Sequence, residues 1–117
     1  TWGRRFKEIH YIFSDYQAVQ STDTELVGVH IPASYRGIIL GFLVETSAAN
    51  AFEVRWVSGG KAYRYRIKTR SQGMLSLFIP GGINYDAPAD SDSDVVLYAL
   101  GNPTGGEAKA DLLIGLI

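Results

Sequence analysis

An antiparallel β-sandwich or barrel is the fold class this sequence predicts, on three observations. After residue 24, short apolar stretches alternate in-out with the two-residue period of a strand. Gly, Pro, Asn and Asp break these stretches at intervals of roughly 8 to 12 residues, the spacing of small all-β domains. The most apolar stretch, residues 37–46, mixes β-branched residues with two glycines, which disfavours a helix there.

The elements follow in order. Residues 1–6 carry Trp2, Arg4, Arg5 and Phe6 without a period and read as an N-terminal arm, leaving 7–117 as a single β-sandwich domain of about eight short strands. Residues 7–13 alternate, with Ile9, Tyr11 and Phe13 on one face and Glu8, His10 and Ile12 on the other. Residues 14–23 are polar, a loop or loosely attached edge. Residues 24–31 place Val27, Val29 and Ile31 together, and Pro32 ends them in a turn that runs to Gly37. In residues 37–46, Ile38, Leu40, Phe42 and Val44 are expected on one side and Ile39 and Leu43 on the other, so this strand is expected to be buried on both faces.

Residues 51–57 alternate with Phe52, Val54 and Trp56 inward. Ser58-Gly59-Gly60-Lys61 supplies a hairpin turn that tolerates positive φ, and residues 61–69 return with Tyr63, Tyr65 and Ile67 opposite Arg64, Arg66 and Lys68. Leu75, Leu77 and Ile79 mark a strand closed by Pro80-Gly81-Gly82. Residues 95–100 form an apolar strand, residues 101–106 a turn, and residues 108–117 the last strand.

A chain of 117 residues with net charge −1 fits one domain and argues against a dedicated nucleic-acid binder. Without cysteine there is no disulfide or thiol chemistry. No stretch reaches bilayer-spanning length, and no apolar segment follows Arg4-Arg5, so neither a membrane span nor a leader is expected.

Catalytic chemistry finds little support. His10 and His30 sit on the polar sides of strands, and no Gly-x-Ser-x-Gly turn accompanies them, so a structural role is expected for both. Asp90-x-Asp92-x-Asp94 begins like a calcium loop, but Val95 stands where the EF-hand needs Gly and Gly101 where it needs a bidentate Glu. A looser calcium site using Asp86 stays open beside the plain reading of a solvated acidic turn. Glu45 and Glu53 flank one turn, and a small sandwich offers a glycosidase pair little cleft. No catalytic residue, cofactor site or metal centre is assigned, and the protein is expected not to be an enzyme.

The surfaces say more. Arg64, Arg66 and Lys68 line one strand face as a basic stripe, with Tyr63 and Tyr65 turned away, which suits a solvated face or an acidic protein patch better than nucleic acid. Ile39, Leu43, Leu113, Gly115 and Ile117 occupy the second faces of strands whose first faces already supply core. Either the arm covers this surface or another subunit does; an oligomer interface is the expectation.

The order of signals resembles a family of phage and viral virion proteins with a small jelly-roll domain. The matching pieces are Val29-His30-Ile31-Pro32-Ala33, Gly37-Ile38-Ile39-Leu40, Phe52-Glu53-Val54-Arg55-Trp56, Phe78-Ile79-Pro80-Gly81-Gly82, and Leu97-Tyr98-Ala99-Leu100-Gly101-Asn102 followed by Ala110 to Ile117. The likeness spans about residues 24–117 and is one of turn order; the first 23 residues lie outside it. It implies an all-β, jelly-roll-like sandwich and a structural role in a virion, as capsid decoration or a head, neck or fibre part. It also implies a homo-oligomer, a trimer by analogy, docked on a major capsid or other virion protein. On this reading Trp2, Arg4, Arg5 and Phe6 form a docking arm whose loss leaves the fold intact. The competing expectation is a carbohydrate-binding or receptor-binding module presenting the loop tyrosines Tyr16, Tyr35 and Tyr85.

Overall fold

A computed structural model describes residues 6–32, 35–58, 60–86 and 93–117, with the main chain alone at 58, 79–86 and 93. The described chain is all-β. Nine strands run in order: β1 (Glu8–Phe13), β2 (Gln17–Ala18), β3 (Thr24–Ile31), β4 (Arg36–Thr46), β5 (Ala51–Ser58), β6 (Lys61–Lys68), β7 (Gly73–Asp86), β8 (Ser93–Ala99) and β9 (Glu107–Leu116). They form two antiparallel sheets. Sheet A has the order β1-β9-β4-β7, with β2 also on β9; sheet B has the order β3-β8-β5-β6. Interleaving first and last strands in this way is the jelly-roll topology.

Alternation puts one face of each sheet into a shared core. Leu26, Val27, Ile31, Phe52, Val54, Trp56, Val95, Leu97 and Ala99 from sheet B meet Ile39, Phe42, Val44, Ala108, Ala110, Leu112, Ile114 and Leu116 from sheet A. The β5–β6 hairpin is in the expected register, from Ala51↔Lys68 to Ser58↔Lys61, and Gly60 takes the positive φ of 76° that its turn demands. The far end of the sandwich is tied by buried Asn50. Its Nδ2 donates to Thr46 Oγ1 at 2.8 Å and to the Gly105 carbonyl at 2.7 Å, and its Oδ1 accepts from Asn102 at 3.0 Å.

Two expectations are corrected here. First, β4 does not alternate throughout. Ile39 pairs with Ile114 and Gly41 with Leu113, so Leu40 is an extra residue, a bulge that exchanges the two faces of the strand. Ile39 therefore joins Phe42 and Val44 in the inter-sheet core, while Ile38 and Leu40 lie on the outer face. Second, β7 does not end at Pro80. Residues 79–82 form an excursion beside the same bulge, after which Ile83 re-enters the ladder opposite Ile39 and pairing runs on to Asp86↔Arg36. An edge strand can carry a proline because one side of its main chain has no ladder to complete. The polar 14–23 segment, expected as a loop or loosely attached edge, contains a two-residue strand in which Gln17 and Ala18 pair with Ala108 and Glu107.

Candidate functional site

The core takes up most of the two inner faces, which leaves the outer faces and the edges as the main surfaces. Sheet A has the unusual outer face. Its strands align in rows: Tyr11, Leu113, Gly41 and Phe78 form one, and Phe13, Asp111, Leu43 and Ser76 the next. At one end this face is covered. Phe6 is buried on Ile38 and Leu40, with Leu113 and Ile117 packed alongside. Gly115 makes room for it, since a Cβ there would stand 2.8 Å from the Phe6 ring.

Beyond Phe6 no described residue covers the face. Tyr11, Phe13, Phe78 and Met74 are 58%, 68%, 62% and 63% exposed, and Ile9 is exposed beside them. At roughly 200 Å² of surface per aromatic side chain, this group leaves on the order of 500 Å² in water. That is the upper end of the largest apolar patch on an ordinary monomer, and such patches are commonly functional. A narrow slot of about 40 Å³ runs through it, lined by Tyr11, Gly41, Leu43, Phe78, Asp111 and Leu113.

A chain of polar groups crosses the patch. Tyr11 donates its hydroxyl to Asp111 Oδ2 at 2.5 Å. Lys109 Nζ stands 3.4 Å from Asp111 Oδ1 and 4.0 Å from Glu45 Oε2, and Tyr16 donates to Glu45 at 3.0 Å. Asp111 is 7% exposed, and its Oδ1 has the Lys109 charge nearby but no hydrogen bond. Hydrogen bonding to a carboxylate, which favours the neutral phenol, raises the pKa of Tyr11 and of Tyr16.

The outer face of sheet B is built differently. Glu53, 1% exposed, lies under two guanidinium groups: Arg55 Nε is 2.7 Å from Oε1, and Arg66 Nε and Nη2 are 3.0 and 2.7 Å from Oε2. Arg55 also reaches Asp23 at 2.6 Å and lies 4.2 Å from the centre of the Tyr98 ring. Burial pushes the Glu53 carboxyl up, but the hydrogen bonds from Arg55 and Arg66 outweigh it and hold the pKa below the ordinary value. Hydrogen bonding by Arg55 likewise lowers Asp23. A cleft of about 510 Å³ opens beside this network, lined by Arg55, Arg64, Tyr63, Asp94 and Tyr98 among others. The β5–β8 ladder pairs Phe52 with Ala99 through Arg55 with Val96.

The residues singled out from sequence are distributed as follows. Ile39 is 1% exposed in the inter-sheet core, and Gly115 lies under Phe6, so neither presents an interface surface. Ile117 packs on the Phe6 cluster, and Leu43 and Leu113 are half-buried in the outer face of sheet A. Phe6 anchors to its own sheet and is not a free arm residue. Trp2, Arg4 and Arg5 lie outside the described residues, as do Asp90 and Asp92. Arg64, Arg66 and Lys68 share a face of β6, where Arg66 is bound to Glu53. His10 is 3.3 Å from Glu8 on sheet A, and His30 is 2.7 Å from Asp94 on sheet B. Glu45 and Glu53 stand on different sheets with separate partners, so they do not form a pair. Among the described residues no group of three or more His, Asp or Glu could hold a metal ion. Tyr35 is half-buried against the core with Lys7 Nζ 5.6 Å from its ring centre; Tyr85 is on strand β7 opposite Gly37 and not on a loop, and its side chain and that of Asp86 are outside the description.

Sequence reasoning missed Asp111, Lys109, Met74 and Phe78. The signal for the last two is alternation in 74–78, which opposes Met74, Ser76 and Phe78 to the core-facing Leu75 and Leu77.

No family model matches the chain, and no curated protein is similar to it in sequence. Solved structures do resemble it. A structure of infectious bursal disease virus, Gx strain, matches 94% of this chain with a TM-score of 0.51 at 13% identity. The chain spans 32% of that viral protein. At this identity the likeness is one of fold: a β-sandwich shared with a viral capsid protein. Two carbohydrate-binding modules are also similar. TmCBM61, solved with β-1,4-galactotriose, has a TM-score of 0.45 at 11% identity over 96% of this chain and 89% of its own. A CBM4 module has a TM-score of 0.44 at 11% identity over 95% of this chain and 72% of its own. No helix among the described residues is long and apolar enough to cross a membrane.

Proposed function

We propose that this protein is a non-enzymatic structural component of a virion, of the capsid-decorating or head-associated kind. In this reading it self-associates and docks through the outer face of sheet A on a larger protein lattice. The observation that carries the reading is the uncovered patch of Tyr11, Phe13, Phe78, Met74 and Ile9. Its aromatic content and its few embedded polar groups match the centre of a protein interface better than an ordinary solvated face. The jelly-roll topology shared with a viral capsid protein supports the setting. The docking role passes from the arm to Tyr11, Phe13, Leu43, Leu113 and Phe78, while Phe6 holds the chain to its own sheet. Trp2, Arg4 and Arg5 extend from that anchor in sequence and are proposed to add to the docking surface.

The test is retention on purified particles. The intact protein is expected to co-sediment with them, and a Tyr11→Ser, Phe13→Ser double variant is expected to stay folded and be lost from the pellet. Undiminished retention of the double variant would sink the docking role of this face.

A second reading is favoured by one observation: the Tyr11–Asp111–Lys109–Glu45–Tyr16 chain of polar groups lies beside exposed rings. Ring faces next to paired hydrogen-bonding groups suit a saccharide. Saturable binding to one member of a neutral oligosaccharide panel, abolished in Tyr11→Ala, would favour a glycan-binding module over lattice docking.

A further inference from the structure

Jelly-roll sheets end in four edge strands, and here three of them are defended. Each edge offers unpaired main-chain N–H and C=O groups to any strand that can reach it, and proteins block this with charge, short length or bulges. The β6 edge carries Lys61, Arg64, Arg66 and Lys68 among its 8 residues. The β3 edge carries Glu25 and His30 and is broken by a register shift between Glu25 and Val27. The β1 edge is 6 residues long and carries Glu8 and His10.

The fourth edge has no such defence over its first half. β7 has no charged side chain from Gly73 to Tyr85, and it pairs in regular register with β4 from Thr46↔Gly73 to Gly41↔Phe78. That leaves a six-residue edge in regular register, Gly-Met-Leu-Ser-Leu-Phe, free of charge and of proline, a composition suited to strand-on-strand pairing. Among the described residues no strand closes the sandwich on this side. Residues 69–72 join β6 to β7, so the two strands form neighbouring edges. Their inward-facing side chains are incompletely covered: Tyr63 is 42% and Tyr65 40% exposed, and Leu75 and Leu77 are half-buried.

We propose that residues Gly73–Phe78 are a self-pairing edge, at which a second copy adds its own β7 antiparallel and extends sheet A across the contact. A second copy fits the site because antiparallel pairing of a strand with itself has a two-fold axis and satisfies both copies at once. An uncharged strand meets its own image without like-charge repulsion, whereas the basic β6 edge cannot. The contact runs along the β7 edge of the proposed docking face and shares Met74 and Phe78 with it. A two-fold contact yields even-numbered association, not the trimer that family resemblance implies.

The inference rests on the self-association reading, and the experiment separates the two. Solution mass is measured by sedimentation from micromolar to millimolar concentration for the intact chain, for Ser76→Lys and for Tyr11→Ser with Phe13→Ser. Ser76 is exposed on the edge, so lysine there is expected to leave the melt of the dilute single chain unchanged and, at concentrations where the intact chain pairs, to halve the mass to that of one chain. The β1 double variant is expected to keep the paired mass. Amide exchange over residues 73–78 is expected to slow as the intact chain pairs. An intact chain that stays a single copy at every concentration overturns both self-association and the edge. A trimer, or a pair that survives Ser76→Lys, overturns the edge alone.

Discussion

The two outer faces of this sandwich solve the same problem in opposite ways. Each sheet needs one face for the core and must make the other compatible with water. Sheet B does so with charge: Glu53 is buried by the guanidinium groups of Arg55 and Arg66, and Asp23 extends the network. Sheet A covers one end of its face with Phe6 and leaves the other end apolar, around a single buried carboxylate. Sheet B carries charge over much of its outer face, with Val57 among its exposed apolar residues, whereas the end of sheet A beyond Phe6 is aromatic, a difference the proposed docking role would explain.

The largest effect that would break this comparison is at the covered end. Phe6→Ala removes a ring buried on Ile38, Leu40 and Gly115 and is expected to cost about 3 kcal/mol, read by urea denaturation. Full stability in that variant would mean the outer cluster holds without its cover. Next, Glu53→Gln withdraws the charge that organises sheet B. With both arginines partly in water, a loss of about 2 kcal/mol is expected, below the full cost of breaking a buried pair.

The same network sets the acid response. Glu53 and Asp23 both have lowered folded pKa values, so their contribution is complete above the unfolded carboxyl values near about pH 4 and declines as pH falls through the folded values. Thermal melts along an acid series are expected to show that decline, and Glu53→Gln is expected to flatten it. A smaller effect belongs to Tyr11→Phe, which leaves the buried Asp111 without a hydrogen-bond donor and is expected to cost about 1 kcal/mol by chemical denaturation. Smallest is Arg64→Ala, an exposed change expected to stay within about 0.5 kcal/mol in the same assay.

How much was legible in the sequence varies with the local physics. The β5–β6 hairpin was readable because strict alternation and a Gly-Gly turn agree on one register. The faces of β4 were not, because Ile38, Ile39 and Leu40 are equally apolar and nothing in their identity marks which is the inserted one. Pro80-Gly81-Gly82 looks like a stop, yet the main-chain pairing resumes beyond it. The candidate site was half visible. Alternation grouped Ile9, Tyr11 and Phe13 correctly, but apolar character does not say which face meets water. Asp111 was invisible as a site residue, since its burial depends on Tyr11 and Lys109 arriving from elsewhere on the sheet.

The Leu40 bulge has a practical consequence. Because one inserted residue lets a single central strand feed two greasy clusters on opposite sides, the middle of the molecule is wired to its sixth residue. Proteolytic nicking just before Lys7 would therefore not trim a decorative tail; it would bare Ile38 and Leu40 and be felt as lost cooperativity in the strand that both neighbours lean on.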